Sequence, residues 1–169
     1  MIKVIGGILI IIGCSSFGFK MAADHIRQLR LVKQFISVVE LLMCELQYRL
    51  SPLPNLCDVA ISYCNGSLKS FFIYLKKELE AQVFPDVERC VSAAIYNCKT
   101  LPSSTEELLV SMGQSLGRFD LDGQVKELNK TKREAESVFE LLSKENITRT
   151  RTYKTLAVCA GLALAILFI

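Results

Sequence analysis

Apolar residues near the start of the chain recur at the spacing of an α-helix. Between residues 26 and 50 they form one seam whose members are three and four positions apart: Leu29, Val32, Ile36, Val39, Met43, Leu46 and Leu50. This spacing places them on one helix face, and Phe35, Val38 and Leu42 widen that face. Because no proline precedes Pro52, one helix is predicted to run from the N-terminal segment to about residue 50.

Proline and glycine then divide the chain into shorter helices. Ser51 is expected to cap the second helix, with Pro52 in its first position and its end near Asn65-Gly66. The third helix stops before Pro85, and Pro85-Asp86 opens the fourth. No alternating β-branched run predicts a strand.

The last two helices are predicted from their starting residues. Leu101-Pro102 closes the fourth helix, and Ser103 and Ser104, each followed three residues later by Glu, predict capping boxes for a fifth that reaches Gly117. Asp120 is expected to cap a last helix that contains no proline and can continue into the C-terminal segment. The sequence therefore predicts an all-α bundle of about six helices.

Uncharged apolar runs occupy both ends, at residues 4–19 and 156–169. Each is shorter than the roughly 20 residues of a spanning helix, but flanking Lys20, Tyr153 and Lys154 can anchor such helices at the interface. The alternative, two buried core helices, would need a large partner surface. The predicted organisation is an N-terminal transmembrane helix at 1–23, a helical bundle at 24–154, and a C-terminal transmembrane helix at 155–169.

Basic residues are concentrated beside these ends. Residues 20–33 and 144–154 each carry four basic residues and one acidic residue, whereas residues 34–143 carry 11 basic and 15 acidic residues. By the positive-inside rule the bundle is predicted to be cytoplasmic, with both termini outside. The membrane-flanking basic residues are Lys20, Arg27, Arg30, Lys33, Arg149, Arg151 and Lys154.

The seven cysteines favour reduced thiols, since an odd number cannot all pair within one chain. Cys57 and Cys64, and Cys90 and Cys98, stand about two helical turns apart, which suits small core-facing residues better than zinc ligands. An alternative function is a membrane-anchored regulator that senses redox or membrane state through these thiols.

A second alternative concerns the N-terminus. Residues 11–14, Ile-Ile-Gly-Cys, fit a bacterial lipoprotein cleavage pattern, which would place a lipid on Cys14 and the helical domain outside the cytoplasm. Six further cysteines, the basic cluster that follows, and the second apolar end favour an uncleaved anchor.

Catalytic patterns are not found. No glycine-rich phosphate loop occurs, His25 is the only histidine, and paired acids stand at helix starts or on polar faces. The run Lys126–Glu136 carries both acidic and basic residues and no aromatic residue, which argues against nucleic-acid binding. We expect no enzyme activity, no cofactor and no metal site.

Two segments resemble a known family. Residues 45–54, ELQYRLSPLP, resemble the E-x-x-Y-x-x-[ST]-P-L-P stretch of the stage III sporulation protein AB family, and residues 116–124, LGRFDLDGQ, resemble its L-G-x-x-D-x-x-x-Q motif. The matching residues are Tyr48, Pro52, Leu53, Pro54, Leu116, Gly117, Asp120 and Gln124.

The resemblance implies a function beyond what the residue patterns show. It implies a scaffold in the mother-cell membrane that faces the forespore, similar to the platform proteins of type II secretion and type IV pilus systems. The implied partners are a cytoplasmic secretion-type ATPase (stage III sporulation protein AA) and other channel components. No catalytic residue is implied; Arg118 and Gln124 are candidate partner contacts. Because platform proteins usually contain two such domains, a homo-oligomer is a further expectation.

Overall fold

Six α-helices, and no strand, make up the described backbone of this computed structural model. The backbone is described at residues 2–49, 52–82, 84–98, 100–116 and 120–168, and side chains within those ranges at 23–145 and at Thr155. The helices are α1 (Ile2–Arg49), α2 (Leu53–Tyr63), α3 (Gly66–Ala81), α4 (Val87–Asn97), α5 (Ser103–Ser115) and α6 (Leu121–Phe168). The predicted all-α fold is confirmed.

The chain forms two compact units. One contains residues 1–29 and 140–169, and the other contains residues 30–139. Helices α1 and α6 are each 48 residues long and contribute to both units. The prediction that each runs on without a break between the bundle and a terminal apolar segment is confirmed for the described backbone.

The predicted membrane helices fall mostly on residues whose side chains are not described. Where side chains are described, no helical stretch combines the length and apolar character that crossing a bilayer requires. The segments 1–23 and 155–169 lie almost entirely outside these residues, as do the basic residues Lys20, Arg149, Arg151 and Lys154. Both transmembrane helices remain predictions. Arg27, Arg30 and Lys33 are exposed on α1.

Apolar faces of all six helices supply the core of the 30–139 unit. On α1 the most deeply buried side chains are Val32, Phe35, Val38, Val39 and Leu42. The predicted seam members Ile36 and Met43 are only half-buried. The buried face is therefore centred slightly to one side of the predicted seam. In α3, the rings of Phe71 and Phe72 meet edge to face with centroids 5.1 Å apart.

Polar contacts identify neighbouring helices within this unit. Lys132 Nζ of α6 lies 2.6 Å from Glu40 Oε1 of α1, so these two helices are adjacent. Lys76 Nζ of α3 lies 2.7 Å from Asp58 Oδ1 of α2. Exposed pairs of this kind contribute little to stability, but each shows that its two helices are neighbours.

Two helix starts differ from the sequence prediction. Helix α2 begins one residue late, because Pro52 is its N-cap and the Pro52 carbonyl accepts hydrogen bonds from the backbone N–H groups of Asn55 (3.0 Å) and Leu56 (3.2 Å). Pro54 then occupies the first turn, where a missing N–H costs nothing. The predicted cap, Ser51, lies outside the described residues.

The predicted capping boxes of α5 are wrong. Pro102 is its N-cap, without a side-chain cap, and Ser103 and Ser104 already belong to the first turn. The Pro102 carbonyl accepts hydrogen bonds from the N–H groups of Thr105 (2.9 Å) and Glu106 (3.0 Å). The helix ends at Ser115, two residues before the predicted end at Gly117, which lies outside the described residues.

Helices α4 and α5 approach closely at a glycine. A Cβ added to Gly113 would lie 2.8 Å from Cγ2 of Val91, which is fully buried. We expect Gly113→Ala to destabilise the protein by about 1 kcal/mol, because overpacking outweighs the gain in helix propensity. Chemical unfolding of the full chain in neutral detergent measures the change. Val91→Ala should remove most of the added cost in a double-mutant cycle; purely additive effects would contradict the contact.

Thr105 carries a buried hydroxyl with no hydrogen-bond partner among the described residues. Replacing it with the nearly isosteric Val removes an unpaired polar atom, so Thr105→Val should stabilise the protein by about 1 kcal/mol. Thr105→Ser keeps the hydroxyl and deletes a methyl group, so it should destabilise it. Unfolding midpoints of the two variants test this, and a loss of stability in Thr105→Val would show that the hydroxyl has a partner.

Candidate functional site

The two sequence motifs meet in three dimensions. Leu53 at the start of α2 and Leu116 after α5 line one apolar hollow of about 10 Å³, together with Val87 at the start of α4. The other lining residues are Leu42, Leu56, Cys57, Phe72, Leu75 and Leu79. We call Leu53, Val87 and Leu116 the motif corner. Its hollow has room for a single water at most, so the corner is a packing junction rather than a ligand pocket.

A larger cleft lies beside the motif corner. Its volume is about 390 Å³, and Val87 and Leu116 line it as they line the hollow. The remaining lining residues are Pro85, Asp86, Glu88, Gly113 and Gln114. We call this the acidic cleft, because its lining residues include two carboxylates and no Lys or Arg.

Polar groups of the acidic cleft are oriented by neighbouring side chains. Gln114 Nε2 of α5 donates a hydrogen bond of 3.1 Å to Glu88 Oε1 of α4, which joins the two walls. Asp86 forms a long, exposed pair with Arg89, with Nε and Oδ2 4.0 Å apart. Such a surface offers two carboxylates beside the apolar Val87 and Leu116.

The motif residues differ in their hydrogen bonds and in their exposure to solvent. Asp120 Oδ1 accepts a hydrogen bond of 3.2 Å from the Gly123 N–H, so Asp120 caps α6. The Gln124 N–H donates to the Asp120 carbonyl at 2.8 Å, and Gln124 is half-buried. Tyr48, the last residue but one of α1, has 84% of its surface exposed, and Pro52 is exposed as well. Gly117 and Arg118 lie outside the described residues.

Apart from Leu116, the lining residues of the acidic cleft were not recognised from the sequence as site residues. Glu88 stands in the first turn of α4, where an acid is expected for its interaction with the helix dipole alone. Gln114 has no distinctive sequence context. Gly113 did carry a usable sign, since an isolated glycine inside a helix often marks a close approach.

Five cysteines with described side chains are free, and four of them, Cys57, Cys64, Cys90 and Cys98, are buried. Burial raises the pKa of Cys57 and of Cys64 from 9.0 to about 12, and burial also raises the pKa of Cys90 and Cys98. The thiolate that nucleophilic, redox or metal chemistry needs is therefore disfavoured at these positions. No cluster of His, Cys, Asp and Glu suited to a metal ion occurs among the residues with described side chains.

Fold and surface together define an all-α helical bundle with an open cleft, lined by two carboxylates, beside the motif corner. The chain belongs to the stage III sporulation protein AB family: the sequence model described as "Stage III sporulation protein AB (spore_III_AB)" matches residues 3–169. Its role is therefore in sporulation, and the family is one of structural proteins rather than a known enzyme family. The resemblance drawn from residues 45–54 and 116–124 is confirmed.

A solved structure supports the fold. The structure titled "Stage III sporulation protein AB (SpoIIIAB)" is 17% identical to this chain, with a TM-score of 0.64, and the match covers 71% of this chain and 96% of the other. At this identity the likeness establishes the shared fold. No curated protein gave a significant match.

Cysteine burial predicts unequal thiol reactivity. In the native full chain at pH 8, iodoacetamide should modify the exposed Cys44 at least tenfold faster than Cys57 and Cys64. Mass spectrometry of the labelled peptides reads each site separately. Denaturation should remove the difference, and equal native rates would contradict the burial of these thiols.

The same thiols predict alkaline sensitivity. The folded state holds the Cys57 and Cys64 protons more tightly than the unfolded state, in which the pKa is near 9.0. Their contribution to stability is thus complete below about pH 9 and is lost as pH rises towards about 12. A Cys57→Ala/Cys64→Ala variant should lose less stability between pH 8 and pH 10 than the unaltered chain.

Proposed function

We propose that this protein is a non-enzymatic, membrane-attached scaffold of a secretion-type channel complex needed for spore development. One observation carries the proposal: Leu53 and Leu116, which are 63 positions apart in the sequence, meet at the motif corner beside the acidic cleft. Apolar packing brings the two motif segments together and leaves an open, polar cleft beside them. This cleft is the proposed partner surface.

The proposed partner of the acidic cleft is the cytoplasmic secretion-type ATPase of the system, stage III sporulation protein AA. Val87, which is half-buried at the start of α4, offers apolar surface for an aliphatic or aromatic anchor. Asp86 and Glu88 border that surface and favour an approaching Lys or Arg. Arg118 and Gln124, in the motif that follows Leu116, are proposed further contacts. Other channel components and a second copy of the chain are further proposed partners.

The proposed location is the mother-cell membrane that faces the forespore. Residues 1–23 and 155–169 would be the anchors, and the basic collars at 20–33 and 144–154 would keep the bundle in the cytoplasm. The exposure of Arg30 and Lys33 on α1 supports this, because exposed cations can approach anionic headgroups.

The raised pKa values of the buried cysteines favour a scaffold over a redox regulator.

The lipoprotein alternative rests on Cys14, whose side chain is not among those described. A membrane-impermeant maleimide distinguishes a bundle inside the cytoplasm from one outside it. The reagent is applied to variants with a cysteine introduced at Ser103 or Ser104. If the bundle is cytoplasmic, the introduced cysteines react only after the cells are permeabilised. Labelling of intact cells would favour the lipoprotein.

A binding measurement tests the acidic cleft. The full chain in nanodiscs of uncharged lipid is titrated with the purified ATPase, and Glu88→Arg should weaken binding at least tenfold by reversing a charge in the cleft. Glu140→Arg, an equal charge change at an exposed position of α6, is the matched control and should stay within twofold. Unfolding midpoints of both variants show whether the fold persists. Absence of binding, or equal affinity of Glu88→Arg and the unaltered chain, would overturn the proposal.

A further inference from the structure

A second groove lies between α4 and α5 and has a volume of about 480 Å³. It shares only Gln114 with the lining of the acidic cleft. The α5 residues that line it follow one another at helical spacing along a single face: Ser103, Glu106, Glu107, Val110, Ser111 and Gln114. This face is about three turns, or roughly 16 Å, long. We call it, with Ser92 and Ile95 of α4, the α4–α5 groove.

The α4–α5 groove combines an apolar floor with acidic borders. Ile95 and Val110 are half-buried and form apolar surface between the two helices. Glu106 and Glu107 line the groove, and neither forms an ion pair with a described residue. No Lys or Arg belongs to the lining. An amphipathic segment would find apolar contact and unneutralised negative charge in the same place.

Carboxylates reach this region from three different helices. Glu134 Oε2 of α6 accepts a hydrogen bond of 3.1 Å from Ser111 Oγ, and Glu88 of α4 accepts one from Gln114. Acids in the first turn of α5, such as Glu106, are expected from the helix dipole alone. That explanation does not extend to Glu134, which lies inside α6. The accumulation of negative charge is therefore a property of the assembled surface.

An exposed aromatic residue stands on the same face of α4 as one lining residue of the groove. Tyr96 is 82% exposed and follows Ser92 by four positions on α4, which places the two on the same helix face. Tyrosine is enriched in protein interfaces because it supplies a large contact area together with a polar hydroxyl. The groove is three turns long, has an apolar floor and is accompanied by the exposed Tyr96 on α4. These features match the helix-in-groove mode of recognition.

We infer that the α4–α5 groove binds a basic, amphipathic α-helix of another protein. Charge complementarity selects this occupant, since Lys or Arg on the borders of the helix would face Glu106, Glu107 and Glu134. Anionic lipid headgroups would be repelled by the same carboxylates. In this chain the run at residues 126–136 carries acids as well as bases, and the more basic segments at 20–33 and 144–154 adjoin the proposed membrane anchors, so a second copy offers a poorer match. The inference is separate from the ATPase contact proposed for the acidic cleft.

Photocrosslinking in sporulating cells identifies the occupant. Benzoylphenylalanine is placed at Val110 in the full chain, and the crosslinked peptide is sequenced by mass spectrometry. The expected adduct is a peptide of another protein with Lys or Arg on one helix face and apolar residues on the opposite face. Leu141, an exposed apolar residue of α6, is the control site and should not capture that peptide. A lipid adduct, a second copy, an acidic peptide or no adduct would each overturn the inference.

Charge exchange then tests the contact itself. The captured helix, as a synthetic peptide, is titrated against the full chain in uncharged nanodiscs, with empty nanodiscs as background. E106K/E107K should weaken binding at least tenfold, whereas the matched variant D122K/E140K should stay within twofold. A peptide with its Lys and Arg changed to Glu should recover affinity for E106K/E107K. Equal losses in both variants, or no recovery, would overturn the inference.

The two proposals fail separately. Glu88→Arg reports on the ATPase at the acidic cleft, and E106K/E107K reports on the captured helix at the α4–α5 groove. Loss of ATPase binding in Glu88→Arg with unchanged peptide binding in E106K/E107K would retain the first proposal and reject the second. The reverse pattern would reject the first alone.

Discussion

Burial of one face of α1 is the interaction on which the 30–139 unit depends. Val32, Phe35 and Val39 are completely removed from solvent, and Val38 and Leu42 nearly so. Each such side chain contributes about 1.5–3 kcal/mol when buried, which offsets part of the conformational entropy lost on folding. A helix of only 11 residues, such as α2 or α4, is marginal by itself. The shorter helices are therefore stable because they pack into a common core with the long ones.

The same core positions the surface that we assign to partners. Leu42 of α1 lines the hollow at which Leu53 and Leu116 meet, so burial of α1 brings the two motif segments together. The motif corner is held by apolar packing, which leaves the carboxylates of Asp86 and Glu88 outside in the cleft. Cysteines serve that packing as small apolar side chains, and their raised pKa values follow from it. This division between an apolar interior and a polar, open surface suits a protein that holds other proteins in place.

Local features account for the parts of the fold that the sequence predicted well. The heptad-like spacing in α1, the prolines at 52, 54, 85 and 102, and the acid at 120 act within a few residues, so their effects are visible in the chain itself. Asp120 caps α6 at its predicted place. The capping boxes at Ser103 and Ser104 failed because the carbonyl of Pro102 already organises the first turn of α5. Boundaries of this kind shift by one or two residues when two nearby groups compete for the same N–H.

Helical class, helix breaks, charge distribution and family were all readable from the linear order of residues, because each depends on neighbours along the chain. The assembled bundle decided which side of α1 is most deeply buried, with Phe35 inside and Ile36 only partly covered. It also brought Leu53 to Leu116, set Gly113 against Val91, and gathered Glu88, Glu106 and Glu134 from three helices around one side of α5. These relations join residues far apart in sequence. They are set by how the helices pack. The periodicity of a sequence specifies that one face of a helix is apolar, but it does not specify which other helix that face packs against.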